Sequence, residues 1–159
     1  MFRNMYDKVY SSKVFRFTPQ DQMLPCGTIR GGVGYGEALT LSDEIEHTCP
    51  DYALYGCEHA LGFTTRGCPN KCAWCVVPSK EGKIRAHADV EEFLSGKRSV
   101  VLMDNNILAH AHGITQLEQI AALGVKLDCN QGLDARLVDG AIARLLGRIR
   151  WIRFVRFIS

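Results

Sequence analysis

Cys68, Cys72 and Cys75 lie in the run Thr64-Thr65-Arg66-Gly67-Cys68-Pro69-Asn70-Lys71-Cys72-Ala73-Trp74-Cys75, at a spacing that lets one turning loop bring three sulfurs toward a point. Gly67 and Pro69 allow the sharp backbone path this needs. Thiolates are soft ligands, and three on one loop suit an iron-sulfur cluster. A four-iron cluster ordinarily takes four thiolates, so three leave one iron open to an exchangeable ligand, as a catalytic zinc keeps one open position. A closed zinc site is the competing reading. It would ordinarily come as two cysteine pairs about a dozen or more residues apart. No second pair follows, so Cys57, His59 or His87 would have to supply the fourth ligand. Unligated buried thiols are the third reading.

Other polar residues fall where strands should end. Asp104, Asn105 and Asn106 follow an apolar run, Asn130 and Gln131 follow another, and Asp134 and Arg136 come soon after. A ligand bound over the C-terminal edge of a parallel sheet would be within their reach. Asn and Asp also finish strands and cap helices, which is the plain alternative for each. His110 and His112 have no acid or cysteine pair nearby and read as loop histidines. Cys26, Cys49, Cys57 and Cys129 lack ligand spacing, and Cys129 reads as a small buried hydrophobe. The run Gly31-Gly32-Val33-Gly34-Tyr35-Gly36 reads as a turn, because Glu37 stands where the dinucleotide fingerprint has its last glycine.

The elements that must position the cysteines alternate. Strands are expected over 60–65, 100–103, 125–129 and 151–158, and helices over 88–96, 113–124 and 137–146. Gly124 and Gly147 are expected to end the second and third helices. The strand-helix step of about 26 residues suffices for one parallel crossover. A strand over 9–18 and a short helix within 41–55 are the expected elements before residue 60. The fold class is therefore α/β: a partial (β/α) TIM-type barrel of about four parallel strands, preceded by a small irregular N-terminal segment. Residues 1–59 form that segment and linker, and residues 60–159 the first half of the barrel. A full barrel needs about 250 residues, so the chain reads as a fragment. Its last strand, with Trp151, Phe154 and Phe157, would then expose an apolar edge and favour self-association.

With 47% hydrophobic and 23% charged residues, the 159-residue chain has the composition of a folded, water-soluble domain. The formal charge of +2 specifies neither nucleic acid nor membrane. Five arginines and no acid occur after residue 139. Without a defined surface on which stacking aromatics interleave with them, they do not establish an RNA interface. No apolar run reaches the roughly 18 to 20 residues of a membrane helix, and the start lacks a secretory apolar core. A cytoplasmic location follows as the expectation. Seven cysteines at uneven spacing argue against a disulfide framework.

The pattern Cys68-x-x-x-Cys72-x-Trp74-Cys75 resembles the signature of the radical S-adenosylmethionine (radical SAM) superfamily. Arg66-Gly67-Cys68, Cys75-Val76-Val77-Pro78 and Glu81-Gly82-Lys83 resemble cluster loops of its methylthiotransferase and cobalamin-associated branches. The resemblance spans residues 60–159, and residues 1–59 more loosely resemble the tail of a small N-terminal α/β domain. It implies a [4Fe-4S] cluster on Cys68, Cys72 and Cys75, with S-adenosylmethionine chelating the open iron through its amino and carboxylate groups. One electron, from a donor such as flavodoxin or ferredoxin, would cleave a carbon-sulfur bond to give methionine and a deoxyadenosyl radical. That radical would take hydrogen from a substrate the sequence does not identify; transfer of a methyl or methylthio group to RNA is one family possibility. The resemblance also implies that Trp74 packs near the adenine. Asp104, Asn105 and Asn106 occupy the place of a glycine-rich acidic motif that contacts the cofactor's amino group, and Asn130 and Gln131 come within reach of the cofactor. Cobalamin would belong to the full-length relatives. Contacts that later barrel strands make in the family to the ribose and the methionine carboxylate have no counterpart here, so the chain reads as a fragment of a longer enzyme, the alternative being a degenerate product that keeps a cluster loop without turnover. A non-catalytic zinc- or cluster-binding module is the alternative.

Overall fold

A computed structural model describes residues 6–36 and 40–158, so Glu37 lies outside the described residues. The chain divides into two compact units, Met1–Glu46 and His47–Ser159.

In the first unit β1 (Tyr10–Ser12) pairs in parallel with β2 (Ile29–Gly31), and α1 (Asp43–Glu46) is a single turn. The glycine run is explained by close backbone packing. Lys13 N–H donates to the Gly31 carbonyl and Gly34 N–H to the Lys13 carbonyl. A Cβ at Gly32, where φ is +95°, would stand 2.6 Å from that Lys13 oxygen. Val33–Tyr35 makes a 3-10 turn rather than the helix N-terminus that a phosphate loop requires.

The second unit begins its regular structure with β3 (Ala60–Gly62), β4 (Thr65–Arg66), α2 (Val77–Lys80) and β5 (Arg85–Ala86). There follow α3 (Val90–Leu94), β6 (Ser99–Leu102), α4 (Ala111–Leu123), β7 (Lys126–Cys129), β8 (Leu133–Asp134), α5 (Gly140–Arg148), β9 (Arg150–Trp151) and β10 (Phe157–Ile158). Strands β3, β6, β7 and β9 form one parallel sheet in that order, in register Ala60↔Val100, Val100↔Leu127 and Leu127↔Trp151. Each strand lies beside its predecessor. A doubly wound sheet would reverse its order at a switch point, whereas a barrel adds strands in one direction. The four strands do not close a barrel among the described residues.

Ala60, Val100 and Leu127 are fully buried, and the core also takes Phe93 from α3, Leu117 and Ile120 from α4, and Ile142, Leu145 and Leu146 from α5. Helix α4 starts two residues before the expected position. The His110 ring accepts from His112 N–H (3.1 Å) and caps it, so these histidines form the helix entry rather than a loop. It stops at Gly124 in the left-handed conformation, as expected. Helix α5 starts later than expected, because Asp139 accepts from both Ala141 and Ile142 N–H at 2.8 Å. It also continues through Gly147, whose φ is not positive, to Arg148.

The continuous last strand expected over 151–158 is corrected. Pairing with β7 ends once Ile152 N–H reaches the Leu127 carbonyl, and the chain turns away. Arg156 donates to Asp128 (3.0 Å) and to the Cys129 carbonyl (3.1 Å), and this brings Phe157 and Ile158 beside β8 instead. Phe154, Phe157 and Ile158 are exposed, while Trp151 is half-buried with its indole N–H on the Leu146 carbonyl. None of the helices among the described residues is long and apolar enough to cross a membrane.

Candidate metal centre

The cysteines occupy the excursion between β4 and β5, an antiparallel pair that follows the C-terminal end of β3. The base of this loop is tightly built. Gly67 sits at φ +82°, and a Cβ there would lie 2.4 Å from the Lys83 carbonyl oxygen, so only glycine lets the outgoing and returning chains pass this closely. Cys68 N–H donates to the Gly82 carbonyl at 3.4 Å. Glu81, whose side chain is 11% exposed, accepts at its Oε2 from Gly67 N–H (3.0 Å) and Asn105 Nδ2 (2.8 Å) and forms an ion pair there with the Arg66 guanidinium (3.4 Å). The Arg66 guanidinium also lies over the Phe63 ring, 4.1 Å from its centroid.

Two more carboxylates hold the loop from the strand ends. Asp104 is buried after β6 and accepts from the hydroxyls of Thr64 (2.8 Å) and Thr65 (2.7 Å) and from both of their backbone N–H groups. It thereby ties the end of β6 to the residues entering the loop. Asp134, also buried, accepts two side-chain hydrogen bonds from Arg136 (2.7 and 2.8 Å), one from Asn70 (3.2 Å) and one from Asn106 (3.3 Å). The Arg136 hydrogen bonds hold the Asp134 carboxyl well below the usual carboxylate range against the opposing effect of burial, with Asn70 and Asn106 assisting. In return Asp134 holds the Arg136 guanidinium charged, and the Cys72 and Cys68 sulfurs add to this.

Asn106 connects this network to the first cysteine, with Nδ2 3.9 Å from the Cys68 sulfur. Its orientation follows from chemistry, since only the NH2 group can donate to Asp134. The buried Oδ1 is left without a hydrogen-bond partner among the described residues. An orphaned acceptor next to a thiol is costly unless a further group satisfies it.

The tip of the loop differs. Cys68 is half-buried, but Cys72 and Cys75 are exposed, joined by a turn in which Cys75 N–H donates to the Cys72 carbonyl (3.0 Å). Trp74 is 89% exposed, so it is not core filler. No three His, Cys, Asp or Glu side chains among the described residues are gathered so that they could hold a metal ion. The structure thus fixes Cys68 at the strand ends and leaves Cys72 and Cys75 outward on the same loop. Asn130 and Gln131 are exposed in the turn after β7.

The alternative fourth ligands are held elsewhere. His59, before β3, pairs with Ser99 at the start of β6 (2.7 Å), at the opposite edge of the sheet from the loop. Cys57 is packed near Tyr52 and Lys97, and the His87 ring lies 5.1 Å from that of His47. Burial pushes the Cys129 thiol far up, so it stays protonated as the small hydrophobe expected from sequence. Glu81 and Asn70 were not singled out as site residues from sequence. The signals in the sequence are the position of Asn70 inside the cysteine run and, for Glu81, its place in the Glu81-Gly82-Lys83 stretch that carries part of the resemblance.

The residues present fit an iron-sulfur cluster in chemistry. Three thiols on one loop are its usual donor type, and the orphaned Asn106 acceptor beside Cys68 leaves a polar position unfilled there. No family model matches the sequence, and no solved structure matches it. A match among curated proteins is tRNA-2-methylthio-N(6)-dimethylallyladenosine synthase of Syntrophobacter fumaroxidans (strain DSM 10017 / MPOB), 28% identical over 109 aligned positions. The match covers 53% of this chain and 24% of the relative, so the chain spans about a quarter of that protein's length. This likeness supports the radical SAM superfamily and nothing finer.

Proposed function

We propose that this chain carries the cluster-binding part of a radical SAM protein, with Cys68, Cys72 and Cys75 as ligands of a [4Fe-4S] cluster that leaves one iron for S-adenosylmethionine. The observation that carries this reading is the origin of the three-cysteine loop at the C-terminal end of β3, hydrogen-bonded to residues at the end of the neighbouring β6. When bound, such a cluster supplies an electron and an open iron site.

The chain's own residues do the positioning. Asp104 holds Thr64 and Thr65, Glu81 holds Gly67, and Asp134 holds Asn70, so the loop is gripped before its first cysteine and again between its first and second. Cys68 is the thiol set in advance, and Cys72 and Cys75 would complete the ligand set from the exposed tip. Asn106 keeps an amide oxygen available for a donor group beside Cys68, the role proposed here for the Asp104-Asn105-Asn106 segment toward the amino group of S-adenosylmethionine. Asp104 itself acts by holding the loop. Trp74 offers an exposed ring for stacking on the adenine. The tRNA named for the relative is the first substrate to assay.

Anaerobic reconstitution with iron and sulfide, followed by addition of S-adenosylmethionine, tests the reading. A paramagnetic resonance spectrum of the reduced protein that changes on addition supports it. Stoichiometric zinc binding, with no such response from iron-loaded protein, would replace it with the non-catalytic module.

A further inference from the structure

We infer that Glu81 is a positioning residue for the cysteine loop: its single Oε2 atom is the clasp that sets where Cys68 begins. This deepens the cluster reading and rests on it. Glu81 lies just after α2, on the returning arm of the loop, while its three partners lie on other segments: Arg66 and Gly67 on the outgoing arm, and Asn105 beyond β6. One carboxylate oxygen therefore joins both arms of the loop to the strand end that also carries Asn106. The β4–β5 ladder joins the arms as far as Arg66↔Arg85, and beyond it the contact of Cys68 with the Gly82 carbonyl is a long one, at 3.4 Å.

The chemistry favours a carboxylate in this place. The Arg66 guanidinium is 21% exposed at its side chain, and Glu81 is its ion-pair partner. A glutamine could still accept from Gly67 N–H and Asn105 Nδ2, but it would leave that cation without a counter-charge. An alanine would leave the Gly67 and Asn105 donors unpaired in a largely buried space. The loop would then open beyond the β4–β5 ladder, and Cys68, the only half-buried thiol of the three, would become accessible by local opening.

The test needs no metal. Metal-free protein is treated with iodoacetamide, and modification is read at each cysteine by peptide mass spectrometry for wild type, Glu81→Gln and Glu81→Ala. Cys129, buried in β7, reports global unfolding. The expected order of Cys68 modification is wild type slowest, E81Q intermediate and E81A fastest, with E81A about fivefold or more above wild type. Cys129 stays unmodified throughout. In iron-loaded samples, E81A alters the line shape of the reduced cluster's resonance spectrum, and E81Q restores most of it. Wild-type Cys68 rates in both variants overturn the inference, as does Cys129 modification rising in step with Cys68, which would make Glu81 a general stabiliser. Should wild type load no iron, the cluster reading fails, while the alkylation result still decides the role of Glu81.

Discussion

The base and the tip of the cysteine loop are built on opposite terms. At the base, three carboxylates, Asp104, Asp134 and, on the returning arm, Glu81, take donors from the outgoing arm of the loop and from the ends of neighbouring strands. At the tip, Cys72, Trp74 and Cys75 are exposed, and a backbone turn joins the two cysteines. Folding free energy is thus concentrated where the loop leaves the sheet. The tip is stabilised by few contacts of its own, as suits residues whose ordering partner is a ligand.

The sharpest way to break this contrast is Asp104→Ala. It strips four donors of Thr64 and Thr65 of their acceptor in a fully buried place and should cost about 3–5 kcal/mol in urea denaturation. A loss near that of an ordinary surface substitution would mean the base is not the rigid part.

Asp134→Asn comes next, at about 1–3 kcal/mol near neutral pH, and its signature is the pH dependence. The folded carboxyl titrates well below its unfolded value of about 3.9, so the unfolded chain binds the proton first as pH falls. The stabilisation is complete above about pH 5 and is lost as pH falls through the unfolded and then the folded value. The stability gap between wild type and D134N, followed by urea titrations at successively lower pH, should therefore shrink in acid. A gap independent of pH would remove Asp134 from the account.

Asn70→Ala cuts a tether joining the loop between its first two cysteines to Asp134, and should cost about 1 kcal/mol or less by the same denaturation assay. The smallest effects belong to the tip: Cys72→Ser and Cys75→Ser should change metal-free stability by less than about 0.5 kcal/mol. A large loss from either would show that the tip contributes to the fold without any ligand.

Much of this arrangement was legible in the amino-acid sequence because it is local. The apolar runs of β6 and β7 and the stripes of α4 and α5 are set by periodicity, and the parallel sheet follows from their alternation. The cysteine loop was legible from residue type and spacing. What escaped the sequence is non-local. The break after Trp151 depends on Arg156 reaching Asp128, which apolar alternation over 151–158 conceals. The extension of α4 to Ala111 depends on a histidine acting as a cap, which residue preferences do not favour. Glu81 lies in the Glu81-Gly82-Lys83 stretch that carries part of the resemblance, but it gains its role as a clasp only when the loop closes and Asn105 arrives from beyond β6. Asp104 was legible as a strand-end carboxylate, but not the four donors it would gather.

The most direct test of the central claim is an iron count on anaerobically reconstituted protein, comparing wild type with Cys72→Ala. Wild type should hold about four irons per chain and Cys72→Ala should lose the cluster, although that variant folds as well as wild type without metal. Full iron stoichiometry retained by Cys72→Ala would contradict it, because the exposed tip would then have no part in holding the cluster.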